Sequence, residues 1–82
     1  MYRILTERKN IDSIKQALWS YGLDYTLLTG EGSWHGQPEN SLIIELDNVS
    51  KDLAERAAQA IKHINSQENV LLQEIAVRSQ LI

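Results

Sequence analysis

The chain contains no cysteine. This removes disulfide staples, thiolate zinc sites and cysteine nucleophiles together, and it accords with a reducing cytoplasm, the expected location. Long apolar runs are also missing. Residues 1–8 do not read as a signal peptide, and no segment approaches the ~20 apolar residues that a bilayer span needs. A soluble chain with no membrane partner is therefore expected. Positive charge is scarce and scattered: eight Lys plus Arg stand against eleven Asp plus Glu, a formal net charge of −3. Arg8-Lys9 is the basic cluster, with Arg3 nearby and Lys62 and Arg78 isolated. Nucleic-acid binders concentrate such charge so that counterion release drives affinity, and this distribution argues against that class. Proline occurs once and glycine four times, and the proline and three glycines fall together within residues 29–39.

Eighty-two residues make one domain, 1–82. A domain of this size buries only about 60% of its extended surface, so its core is thin and oligomerisation is a natural supplement. Residues 2–7 are rich in strand formers and predict the first strand. Asn10 falls where an N-cap belongs, with Asp12 in the first turn. Ile11, Ile14, Ala17, Leu18 and Tyr21 then recur at helical spacing as one buried stripe. Gly22 is the expected left-handed residue after that helix and Leu23 its hydrophobic follower, while Trp19 lies off the stripe, bordering the core or facing a partner. Residues 24–29 predict a second strand and 41–47 a third, joined as a hairpin whose tip lies near residues 35–39, with Trp34 on an extended arm. Ser50 caps a second helix with Asp52 in its first turn. Leu53, Ala57, Ile61 and Ile64, flanked by Ala54 and Ala58, form its inward stripe, and the alanines suit close packing on a sheet. Asn65-Ser66-Gln67 breaks the helical pattern, and residues 70–77 predict the fourth strand. The order β-α-β-β-α-β, with right-handed crossovers, specifies an α+β fold: the ferredoxin-like sandwich of a four-stranded antiparallel sheet with two helices on one face.

That fold leaves one sheet face without helices. If Ile4, Leu42, Ile44 and Leu46 point toward the helices, then Arg3, Leu5, Glu7, Ser41, Ile43, Glu45 and Asp47 point away. The fourth strand is apolar on both phases, unlike a strand with one wet face. Leu5, Ile43 and Leu72 are expected to form an apolar centre ringed by glutamates, in the manner of an oligomer interface between sheets. Isolated exposed apolar residues are also common on surfaces with no such role.

The glycine-rich stretch is the other candidate site, with Gly30, Glu31, Gly32, Trp34, His35, Gly36 and Glu39 as its binding residues. A phosphate loop needs glycines ahead of a helix N-terminus and a cation behind them. Here the stretch leads into a strand, and no Lys or Arg lies between Lys15 and Lys51. The glycines are better read as permitting a bulge and strong coiling in a long hairpin. His35 with Glu31 or Glu39, and with His63 as a further donor, offers the elements of a metal shell without the spacing of a defined motif. A histidine–glutamate pair can also serve as base and orienter, but no nucleophile or oxyanion donor set accompanies it. The expectation is thus no catalytic residue and no cofactor. Trp34 beside a glycine loop is either a binding hot spot or packs over the sheet near Tyr25.

Residues 32–45, Gly-Ser-Trp-His-Gly-Gln-Pro-Glu-Asn-Ser-Leu-Ile-Ile-Glu, resemble the hairpin of the CutA family, which carries Trp-x-Gly, a few acidic or polar residues and then an apolar strand. The order of elements and the arrangement of residues 11–18 with Gly22 resemble the PII signalling proteins, which share that trimeric ferredoxin-like architecture. The resemblance implies a homo-oligomer, favouring a trimer whose hairpins embrace neighbouring subunits, and for PII it further implies adenine nucleotide in the inter-subunit clefts. The chain departs from both families in being shorter, in lacking the CutA cysteine and in lacking evident phosphate-holding basic residues. What the sequence supports is a non-catalytic binding or regulatory module that engages a small molecule or a partner protein near the hairpin. Metal binding through His35 and nearby glutamates, and an interaction module or inhibitor presenting Trp34, are the alternatives.

Overall fold

The computed structural model describes residues 1–34 and 37–82, with side chains outside residues 32–39. The elements run β1 (Tyr2–Glu7), α1 (Ile11–Ser20), β2 (Tyr25–Trp34), β3 (Gln37–Leu46), α2 (Lys51–Ile64) and β4 (Leu71–Glu74). The sheet order is β2-β3-β1-β4, and every neighbouring pair is antiparallel. Each helix therefore carries the chain over an intervening strand, β3 in one half and β1 in the other. This is the expected ferredoxin-like sandwich.

Alternation along the strands sends Ile4, Thr6, Leu42, Ile44 and Leu46 inward, where all are buried. They meet Ile14 and Leu18 from α1, and Ala54, Ala57, Ala58 and Ile61 from α2. Three alanines in the contact stripe of α2 let its backbone lie close to the sheet, so a small core is closed with little side-chain volume. Leu53 and Ile64, expected in that stripe, are only half-buried, and Tyr21 is 38% exposed just past the end of α1.

The two helices start differently. Ser50 is extended and its hydroxyl accepts from Leu53 N at 3.2 Å, an ordinary N-cap. Asn10 occupies the equivalent position before α1 with φ 54°, and its side chain makes no capping hydrogen bond. The cap expected there is absent because the Asn10 amide is used elsewhere, donating to Ile64 O and Asn65 Oδ1, each at 3.2 Å. Asparagine tolerates the left-handed region better than most residues, which makes that reach accessible. The end of α1 is as expected: Gly22 has φ 69°, with Gly22 N donating to Trp19 O and Leu23 N to Leu18 O, a Schellman closure.

Two strand boundaries move. The β2–β3 pairing runs without interruption from Tyr25↔Leu46 to Trp34↔Gln37, so the hairpin is longer than its apolar residues suggest and the expected bulge is not there. The residues between its arms, His35 and Gly36, lie outside the described residues. Since β1 pairs with β3 only as far as Glu7↔Ser41, residues 31–34 and 37–40 form a two-stranded arm beyond the sheet. Conversely β4 is shorter than residues 70–77: its ladder with β1 runs from Leu5↔Leu71 to Tyr2↔Glu74, closed by Ile75 N donating to Met1 O at 2.8 Å.

Candidate functional site

With both helices on one side, the opposite face is built from the residues of the other strand phase. Leu28 pairs with Ile43, Ile43 with Leu5, and Leu5 with Leu71. These four aliphatic residues form one continuous row across all four strands. Leu28 and Leu71 at its ends are 44% and 52% exposed, and Leu5 and Ile43 at its centre are half-buried. Gly30 lies beside the row, and a Cβ there would meet the Ile43 Cδ1 at 3.4 Å, so its missing side chain leaves the flank of Ile43 open. The row includes Leu71 in place of the expected Leu72. Leu72 pairs with Ile4 and packs against the core, because β4 joins β1 in the register that puts its even residue on the helix side. Both phases of β4 are apolar, and hydrophobicity alone does not select between them.

One rung along the strands the row is bordered by Thr26, Glu45, Arg3 and Gln73, again mutually paired. An Arg3 Nη donates to Glu45 Oε2 at 2.8 Å, with both side chains partly exposed. The Arg3 Nε is buried and has no hydrogen-bond partner among the described residues. On the other border stand Gly30, Ser41 and Glu7, the last paired with Lys9 at 3.1 Å. Beyond Glu7 a cleft of about 610 Å³ opens, lined chiefly by Leu5, Ser41, Glu68, Asn69, Val70 and Leu71. Among the described residues its lining has carboxylates but no histidine and no cation, an arrangement unsuited to holding phosphate.

On the helix side of β1, Tyr2 pairs with Glu74. Partial burial first, and then the Glu74 carboxylate, push its phenol above the ordinary value.

Of the residues expected at the hairpin site, Gly30 and the exposed Glu31 lie on β2. Trp34 stands at the last described rung opposite Gln37, and Gly32 opposite Glu39. His35 and Gly36, and the side chains of Gly32, Trp34 and Glu39, lie outside the described residues. His63 is exposed in the last turn of α2. Among the described residues no three His, Cys, Asp or Glu side chains gather as metal ligands, and none of the helices is long and apolar enough to cross a membrane.

No protein-family model and no curated protein sequence matches the chain.

A further cluster was not visible in the sequence. Asn65, read as a pattern breaker after α2, is fully buried. Its amide donates to Thr6 Oγ1 at 2.9 Å and to Glu7 O at 3.1 Å, and its Oδ1 accepts from Asn10. Gln67 accepts from the Thr6 hydroxyl and, at 3.1 Å, from Glu7 N, taking the place of a β4 neighbour where β4 has not yet begun. Every polar group is partnered, as burial demands, and the knot is architectural. The clue in the sequence is the polar triplet 65–67 following an apolar helix end, but its partners, some 60 positions away, are not local.

Proposed function

We propose that the chain is a non-catalytic binding module that works as a homo-oligomer, with the uncovered sheet face as its association surface and the β2–β3 arm as the element it offers to a small molecule or partner protein. The observation that carries this is the row Leu28–Ile43–Leu5–Leu71 spanning the full width of the sheet on the side without helices. Single exposed aliphatic residues need no explanation, but a contiguous apolar strip with a polar border is the pattern of an interface. The resemblance to PII and CutA supports the same reading, since those proteins assemble through this fold and project their hairpins from the assembly. A cytoplasmic setting fits the lack of cysteine.

The test is native mass spectrometry of the purified chain, which reads stoichiometry and any retained ligand together. An oligomer is expected for the wild type at tens of micromolar. Leu5→Glu, which puts a carboxylate at the middle of the row, should leave the far-UV circular dichroism unchanged and shift the chain to a monomer. A wild-type chain that is monomeric under those conditions defeats the proposal.

A further inference from the structure

We infer that the partner on this face is a second copy of the chain, placed by a two-fold axis that runs parallel to the strands between β1 and β3; the inference rests on the association surface proposed above and specifies what occupies it.

The uncovered face complements itself. The row and its charged border are centred on the β1–β3 pair, with β2 and β4 symmetrically outside. Face-to-face sheets pack about 10 Å apart with strands roughly aligned. A two-fold axis along the strands superposes β1 on the second copy's β3, and β4 on its β2. Rungs are preserved, so Leu5 meets Ile43 and Leu71 meets Leu28, apolar on apolar throughout. On the bordering rung Arg3 meets Glu45 in both directions, and Gln73 meets Thr26. Such an isologous contact requires a surface that complements itself, and the Arg3–Glu45 pair of this face does so under this operation. With the axis turned across the strands, Arg3 would instead face Glu7 and leave Glu45 over Ser41.

The Arg3 side chain, one-third exposed on this face, supports the same placement. The chain's own Glu45 engages the guanidinium through an Nη, and both side chains keep exposed surface, 33% and 21%. A guanidinium carries five N–H donors, so its exposed edge can take a second carboxylate, and under the axis described that carboxylate belongs to Glu45 of the second copy. Area adds a constraint. Four strands about 4.8 Å apart over a ladder of some 20 Å give roughly 400 Å² of flat face, about half of what a standard interface buries on each partner. The operation carries the base of the second copy's arm, Glu31 and Asn40, past Glu7 toward the cleft lined by Ser41, Asn69 and Leu71, which extends the facing surface beyond the ladder. The resulting assembly is a dimer, in contrast to the trimer that the resemblance implies.

Charge exchange tests the placement. Arg3→Glu and Glu45→Arg each set like charges against each other across the axis, so each alone should be monomeric by native mass spectrometry. Mixed in equal amounts they should form a heterodimer, because each copy then meets its opposite; R3E/E45R in one chain should restore the homodimer. An independent readout is Thr26→Cys with Gln73→Cys. These positions lie on the outer strands, roughly 14 Å apart within one chain, so a thiol cross-linker too short to span the sheet should yield covalent dimers. A wild-type dimer whose charge variants do not rescue each other and whose cysteines do not cross-link overturns the two-fold placement while leaving the association surface standing, and so does a wild-type trimer. A monomeric wild type overturns both.

Discussion

Asn65 ties three segments with one amide. It bonds to Thr6 and Glu7 at the end of β1 and to Asn10 before α1, from its own place after α2. Hydrogen bonds of this kind contribute only about 1 kcal/mol each on balance, but a buried group left without a partner costs about 1–3 kcal/mol. Asn65→Ala removes the donor and leaves the Glu7 carbonyl and the Thr6 hydroxyl short of a partner. The expected loss is about 2–3 kcal/mol, read as a lower urea midpoint with an unchanged slope. A loss under about 0.5 kcal/mol would mean that water replaces the amide readily. Trp19 is the opposite case: large, apolar and 79% exposed, it contributes little contact to the core, and its side chain is available to whatever meets α1.

The helix starts show how far local sequence carries an element. Ser50 is a cap in sequence and in structure, and Ser50→Ala should cost about 1 kcal/mol, detectable as a lower midpoint in thermal unfolding; no change at all would mean that the Leu53 amide is satisfied by solvent. Asn10 has the same local signature and a different role, because its amide has long-range partners. Elements fixed by periodicity were legible: the stripe Ile14–Leu18 and the Gly22–Leu23 ending of α1, the alanine face of α2, and the inward set Leu42, Ile44 and Leu46 of β3. Where two patterns were equally apolar, as at Leu71 and Leu72, the sequence left the choice to strand register, which pairing with β1 decides. The length of the hairpin was hidden for a related reason. Residues 30–34 and 37–40 carry few strand formers, and their pairing is sustained by the ladder begun at Leu27–Leu28 rather than by their own propensity. The bordering pair Arg3–Glu45 joins residues far apart in sequence and became visible only with the β1–β3 register.

At the scale of the molecule, a core of aliphatic residues and alanines in an 82-residue chain leaves stability close to the margin for a domain of this size. Association through the uncovered face buries more apolar surface and stabilises the native state by mass action, since only folded chains present that face. The consequence is a concentration-dependent midpoint. Unfolding entropy is roughly 2.1 cal/mol/K per residue, so a dimer of this length gains about 0.34 kcal/mol/K on unfolding. A tenfold rise in concentration favours the dimer by about 1.4 kcal/mol, and dividing the two gives a rise in Tm of roughly 4 °C per tenfold in concentration. Leu5→Glu, lacking the association, should show a Tm that is lower at high concentration and does not move with dilution. The two curves should converge as the wild type is diluted toward its dissociation constant, because Leu5 lies outside the buried core and its replacement disturbs the fold of the single chain little. A wild-type midpoint that stays constant over a hundredfold range of concentration would show that the row Leu28–Ile43–Leu5–Leu71 contributes nothing to stability through self-association.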